Sequence, residues 1–541
     1  MQKNNLVLAA VTGLLLAAGW PIYGIPLLLF VAFVPLIIAE KKIRLSNKRR
    51  KGVKVLLAAY LSFLLWNFIT TWWLWYSTAF GMFFAILVNS LLMALVFLIY
   101  HHVARRLPEK IYLLFLPLIW IAFEKFHLNW AFSWPWLNLG NAFSEYTSWI
   151  QWYEYTGTFG GSLWIWVVNI GLFKVYENYH STKNKKALST GIAKNILIIT
   201  IPIISSYIIL TNYEEPKEHV DIVLLQPNVD PYLEKFKKGN TNTKTATELI
   251  KLAQESIKPE TDFIIAPETA LAEDSPIDKF NFSQEKLILQ SILREYPNTN
   301  VLTGIASYRF YRQEERPNKF ANKTPKGNWI DFYNAALLIN RTDSTQFYIK
   351  SKLVVGVETF PFRSVLEPLL GDIMLDLGGT VSARSTQKER AVFTSSDKKY
   401  KAAPVICYES IYGEFVTGYI KKDADFLAII TNDAWWDESQ GHKQHLSYAR
   451  LRAIETRRSI ARSANTGISA LINQKGDILK SLAYGKKGSI EGTISVNTKK
   501  TFYVIYGDYI ARIAILISIL IVLYAFAIKR TTKKSSLPPV K

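Results

Sequence analysis

Glu268, Lys350 and Cys407 are three side chains whose types, taken together, suit acyl chemistry. Cys407 is the only cysteine among 541 residues and lies in Pro404-Val405-Ile406-Cys407-Tyr408-Glu409-Ser410. An apolar, strand-like run at 402–406 ends there, and a polar run able to open a helix begins at Ser410. A thiol at such a turn is expected at an exposed sheet edge. The helix N-terminus beside it would favour thiolate. The plainer expectation is a buried structural cysteine. Glu268 follows another buried-looking strand, in Ile265-Ala266-Pro267-Glu268-Thr269. Lys350 ends a third, in Tyr348-Ile349-Lys350-Ser351-Lys352-Leu353-Val354, where alternation turns it inward beside Tyr348. Singly these read as a helix-capping carboxylate and a solvated lysine. Jointly they supply what acyl transfer needs: a nucleophile, a base for its proton, and a cation for the oxyanion.

The elements that must bring them together lie between about 214 and 508. Short strand-like runs at His219–Gln226, 262–266, 300–308, 333–340, 347–350, 391–394, 402–406 and 426–431 alternate with helix-like stretches at 244–257, 284–295 and 441–459. Two more strands are expected near 467–472 and 489–496. This predicts an α/β or layered α+β domain with its own core, and ligands gather at strand carboxyl ends in such sheets.

The rest of the chain has a different character. Apolar runs of membrane length fall near 5–20, 23–39, 54–75, 80–100, 111–124, 159–176, 194–212 and 511–528. The linkers alternate in charge. Basic clusters fill 41–54, 105–110, 183–194 and 529–534, whereas 76–80 and 126–158 carry no Lys or Arg. By the positive-inside rule this predicts eight spans with both termini cytoplasmic and 214–508 outside. The net charge of +21 is then a membrane feature, and no nucleic-acid partner is expected. Trp72, Trp73, Trp75 and Tyr76, with Trp130, Trp134, Trp136, Trp149 and Trp152, fit an interfacial belt. One cysteine excludes an intramolecular disulfide and argues against a zinc site. His442 and His445 share a helical face without a nearby third ligand, so no metal is expected, and both are read as surface or core residues. Glu124 is the main ionisable residue inside a span.

The Glu, Lys and Cys islands, in this order, resemble the triad of the nitrilase (carbon–nitrogen hydrolase) superfamily. Leu427-Ala428-Ile429-Ile430-Thr431-Asn432-Asp433-Ala434-Trp435-Trp436, Gln444-His445-Leu446, Arg452-Ala453-Ile454-Glu455, Arg458 and the run from Arg462 to Ser469 add to the likeness. With a membrane part ahead and one helix behind, the chain resembles the apolipoprotein N-acyltransferase family. The resemblance implies a multi-pass helical membrane domain at 1–213, an extracytoplasmic nitrilase-like αββα sandwich at 214–508, and an eighth span with a basic tail at 509–541. It implies a phospholipid acyl donor, a diacylglyceryl-lipoprotein acceptor, contact with membrane lipid, no cofactor, a monomer, and a bacterial inner membrane with a periplasmic catalytic domain. Cys407 then resembles the nucleophile, Glu268 the general base and Lys350 the oxyanion stabiliser, supported by Glu358, Tyr408 and Glu409.

The sequence departs from the family pattern in places. Val355-Gly356-Val357 stands where Pro-Phe-Gly is usual, and Gln226-Pro227-Asn228 where Gln-Gly-Asn is usual. An expected tryptophan after the latter is absent, with Tyr232 and Phe236 the nearest aromatics. The apolar, glycine-bearing stretch 360–382 fits a mobile lid. A membrane-tethered amidase or nitrilase-type hydrolase, and a transporter with an external sensor domain, are the competing readings.

Overall fold

The computed structural model describes residues 3–230, 239, 241–312, 315–318, 320–342, 344–359 and 384–534. The proposed lid at 360–382, and Tyr232 and Phe236, lie outside the described residues. The chain forms two compact units, one of residues 1–72, 82–211 and 508–541, the other of 73–81 and 212–507.

The first unit is helical. Among the described residues, five helices are long and apolar enough to cross a membrane: Lys51–Tyr76, Ala79–Ala104, Thr158–Thr182, Lys185–Asn212 and Tyr509–Ile528. The other three expected runs take different forms. The first is a 16-residue helix, Lys3–Ala18. The second breaks into Pro26–Leu28, Leu29–Ala32 and Val34–Leu45. The 111–124 run lies within Glu109–His127, a 19-residue helix with Pro117 inside. Phe33, Phe63, Phe97, Trp120 and Trp166 pack as an aromatic core, with Phe33 stacked on Trp166 at 4.1 Å between ring centres. Glu124 is fully employed there. It accepts from Trp120 Nε1 (3.1 Å), the Leu139 amide (2.7 Å) and Ser162 Oγ (2.7 Å). Three donors on one buried carboxylate make it a structural acceptor rather than a station on a transport path.

The second unit is a two-sheet sandwich. Its strands are β1 (His219–Gln226), β2 (Phe263–Ile265), β3 (Leu271–Pro276), β4 (Asn300–Tyr311), β5 (Asn322–Lys323), β6 (Trp329–Ile339), β7 (Gln346–Ile349), β8 (Phe393–Thr394), β9 (Lys401–Ile406), β10 (Phe426–Thr431), β11 (Ile460–Ala464), β12 (Ser469–Ile472), β13 (Ile478–Leu482) and β14 (Gly488–Ser495). One sheet runs β14-β1-β2-β4-β6-β5, with β3 on β4 and β7 on β6. The other runs β13-β12-β11-β10-β9-β8. β1 is apolar at successive positions, so both of its faces must be covered. Val223 and Leu225 face the helices, packed with Leu249 and Leu252 of Asn242–Gln254 and with Leu289 of Gln284–Ser291. Each such side chain contributes about 1.5–3 kcal/mol by leaving water. Between the sheets, Phe263 of β2 meets Phe426 of β10 edge-on at 5.3 Å. The parallel pairs β1–β2, β9–β10 and β10–β11 each need a crossover. The helices Asn242–Gln254, Gly413–Ile420 and Gln440–Thr456 supply them.

Several strands escape the sequence reading. β11 is fully buried, and its Ile-Ala-Arg-Ser-Ala lacks a strand-like alternation. β13 is mostly exposed, and β3 carries Glu273 and Asp274. The expected helix at 441–459 ends at Thr456, where Arg457 takes a left-handed φ of 48° as its C-cap. Trp73 and Trp136 are fully buried, unlike the half-exposed Trp72 and Trp75, so the aromatic segments are not a uniform interfacial belt.

Candidate active site

Glu268, Lys350 and Cys407 each lie just past a strand carboxyl end, after β2, β7 and β9. Lys350 is 1% exposed, and its Nζ lies 2.8 Å from Glu268 Oε1 and 2.8 Å from Glu358 Oε2. Tyr348 and Lys350 both turn inward, as the alternation requires. Burial alone would lower the Lys350 pKa, but Glu268, Glu358 and the neighbouring Cys407 raise it, so the ammonium stays charged. Burial would likewise raise Glu358, yet Lys350 and Arg384 hold its carboxyl below the ordinary value.

Glu358 owes its place to a tight turn. Its amide donates to the Val354 carbonyl (2.9 Å), its Oε2 accepts from the Val354 amide (2.9 Å), and Gly356 donates to Thr359 O (2.8 Å). Gly356 has φ +87°, so the departure Val355-Gly356-Val357 still reverses the chain. Gln226 is structural. Its Oε1 accepts from the Ser469 amide and hydroxyl, and its Nε2 donates to Ala483 and Lys486 carbonyls.

Glu268 sits on strained backbone. Thr269 after it has φ 45°, and Gly304 of β4 packs flat against the pair. A Cβ at Gly304 would stand 2.7 Å from the Glu268 Cα, closer than side chains tolerate. Gly304→Ala is therefore expected to push Glu268 out of reach of Lys350 and cut acylation by roughly 10²-fold, the usual cost of about 1 Å of misplacement. A rate within a factor of two of the parent would show that the backbone yields elsewhere.

Cys407 differs from expectation in two ways. It is 6% exposed, and β9 is no edge, since it lies between β8 and β10. The thiol is also pushed well up rather than down. Burial is the main cause and the Glu268 carboxylate adds to it, against the Lys350 charge. The turn after it is only a five-residue 3-10 segment, too short for a strong dipole. Cys407 takes φ 49°, a strained value that costs about 1–3 kcal/mol and persists only where neighbours enforce it. Glu409 is one of those neighbours. One oxygen accepts from the Ile406 amide (2.9 Å) and Tyr419 hydroxyl (3.1 Å), the other from the Tyr348 hydroxyl (2.7 Å) and Ser351 amide (2.6 Å). Tyr408 is buried edge-on against Tyr412 at 5.3 Å. Lys352, two residues past Lys350, lies over the Tyr412 ring at 4.7 Å.

Sequence reasoning missed Asn334 of β6. Its amide nitrogen donates to Glu268 Oε1 (2.7 Å) and Glu358 Oε1 (2.8 Å), holding two carboxylates at one lysine. An inward polar residue amid Ala335-Ala336-Leu337 was the signal. The Asn432 amide donates to Glu268 Oε2 (3.2 Å). His442 and His445 are both buried, and His445 sits beside the Cys407 turn. Cys407, Asp433 and His445 place donor atoms within 4.8 Å of one another. Asp433 is nonetheless committed to His445 (2.9 Å), Thr431 (2.7 Å) and Arg462 (2.5 Å), an ion-paired network and a poor metal cradle. A cavity of about 340 Å³ opens nearby, lined by Tyr76, Asn228, Asp230, Trp435, Asp437 and Tyr484 among others.

Comparison with known proteins gives the family. Residues 232–502 match the carbon–nitrogen hydrolase family, and residues 12–171 match the apolipoprotein N-acyltransferase N-terminal domain. An apolipoprotein N-acyltransferase of Chlorobaculum tepidum is 27% identical over 98% of both chains. One of Geobacter metallireducens is 24% identical over 94% of this chain and 93% of its own. One of Haemophilus influenzae is 28% identical over 72% of this chain and 70% of its own. With a nitrilase-like sandwich behind a helical N-terminal region, the chain belongs to the apolipoprotein N-acyltransferase family within the carbon–nitrogen hydrolases.

Proposed function

We propose that this protein transfers an acyl chain from a phospholipid to the α-amino group of a diacylglyceryl-cysteine at a lipoprotein amino terminus, through a thioester on Cys407. The observation that carries this is Lys350 held between Glu268 and Glu358 beside a strained, buried Cys407. Cys407 attacks the ester carbonyl of the donor while Glu268 takes the thiol proton. A protonated thiol at rest requires such a base. Lys350 stabilises the oxyanion. The tetrahedral species collapses, the lysophospholipid oxygen leaves with the proton from Glu268, and the thioester remains. The acceptor amine then attacks the thioester, gives its proton to Glu268, and Cys407 leaves and is reprotonated.

Lipid donors and lipid-anchored acceptors need a membrane-embedded body, which the five long apolar helices support. We place eight membrane segments in the chain, the broken and short ones included, with 1–213 and 509–541 in the bacterial inner membrane and 214–508 on its periplasmic side. Tyr408 and Glu409 shape the nucleophile turn on this reading and do not touch the substrate. A hydrolase passing the acyl group to water would leave lipoproteins diacylated. Mass spectrometry of lipoprotein amino termini, with the gene present and deleted, tests the proposal. Loss of the N-linked chain on deletion is the expected result, and unchanged triacylated termini would overturn it.

A further inference from the structure

The carbonyl of Cys407 is held by residues that the chemistry above does not use. Ser410 Oγ donates to it at 2.8 Å, and His445 Nε2 lies 3.2 Å from it and 3.0 Å from Ser410 Oγ. The other ring nitrogen, Nδ1, is 2.9 Å from Asp433 Oδ1, and Arg462 secures the second Asp433 oxygen at 2.5 Å. Trp436 meets the imidazole edge-on at 5.5 Å. All of these lie within the catalytic unit. The helix Gln440–Thr456 brings His445 to the turn, while β10 and β11 bring Asp433 and Arg462.

Glu409 fixes the amide just before Cys407, at Ile406. Ser410 and His445 hold the carbonyl on the other side of Cys407, and a left-handed residue persists where its neighbours enforce it. A carbonyl and a carboxylate both only accept, so holding the Cys407 carbonyl at Nε2 and Asp433 at Nδ1 together takes a proton on each ring nitrogen, an imidazolium paired with the Asp433 carboxylate. We propose that His445 is a positioning residue for the nucleophile, holding the Cys407 carbonyl through Nε2 while Asp433 and Arg462 lock the ring.

The inference rests on Cys407 as nucleophile, and two amide variants separate it from mere packing. Glutamine at 445 reaches where Nε2 stands and keeps a donor for the Cys407 carbonyl. Asparagine reaches where Nδ1 stands, so it keeps the Asp433 bond and loses the carbonyl. His445→Asn is expected to slow acyl-enzyme formation from phospholipid by about 10²-fold with KM little changed, as a displaced nucleophile would. His445→Gln is expected to stay within about tenfold of the parent, the worth of roughly 1 kcal/mol in one hydrogen bond. Ser410→Ala removes the other donor with little change in volume and is expected to slow the same step by about tenfold. Equal losses in folded Asn and Gln variants, or a parental rate in Ser410→Ala, overturn the proposal. Should the Asn variant fail to fold, the Ser410→Ala rate decides alone. Cys407→Ala in parallel keeps the two readings apart. If it still acylates lipoprotein, the function reading falls, whereas silent His445 and Ser410 variants beside a dead Cys407→Ala sink only the positioning role.

Discussion

Replacing Cys407 with alanine is expected to erase the acyl-enzyme and N-acylation together. Phospholipid alone should load one acyl group onto the parent protein, removable by neutral hydroxylamine, because a thioester is more reactive than an oxygen ester. Two substrates reacting in turn at one sulfur should give ping-pong kinetics. Cys407→Ser keeps the shape of the turn but presents a hydroxyl, so it should trap at most a slowly formed ester. Glu268→Gln should stop earlier. Burial and the adjacent carboxylate keep the thiol protonated, and without the base that proton has no acceptor. Near-normal lipoprotein N-acylation by Cys407→Ala would mean direct transfer from lipid to amine.

Lys350→Ala should be almost as damaging, for two separable reasons. Loss of an oxyanion donor typically costs roughly 10²–10³ in rate. The substitution also leaves Glu268 and Glu358, both bonded to Asn334, as buried carboxylates without their shared cation. Removing one partner of a buried ion pair costs about 3–5 kcal/mol, so a lower melting temperature should accompany the lost activity. One carboxyl should take up a proton to relieve the repulsion, which would disable Glu268 as a base. Lys352→Ala is the control. Its ammonium lies over the Tyr412 ring, an interaction worth roughly 0.5–1 kcal/mol at exposed sites. Acylation and melting of Lys352→Ala should stay near parental. Equal losses at the two lysines would reassign the role.

The sandwich was legible where residues repeat with a clear period. β1 and β10 coincide with their expected spans because each is built on an unbroken apolar run, Ile222–Leu225 and Phe426–Ile430. β11 hides because Arg462 and Ser463 interrupt its apolar pattern, yet both are buried through bonds to Asp433 and to the Leu225 carbonyl. The site shows the same split. Cys407, Glu268 and Lys350 announce themselves by type and by strand-end position. Asn334 and His445 do not, because an asparagine in a strand or a histidine on a helix has many ordinary uses, and only the sheet register shows what each one faces. The thiol's environment was misjudged for a related reason: sequence shows that a turn follows β9, not that β8 and β10 flank it.

The single lysine between two carboxylates also governs how the site tolerates its own reaction. At rest, Glu268 and Glu358 carry two negative charges against one positive charge on Lys350, and the thiol is neutral. In the proposed mechanism the proton moves to Glu268, and that carboxyl becomes neutral as the acyl oxygen becomes negative. The buried total therefore stays the same through the step, and one negative charge shifts from one neighbour of Lys350 to another. No new ion has to be created in a dry interior, so the chemical step should respond little to bulk salt, leaving ionic strength to act on how substrates arrive at the membrane surface.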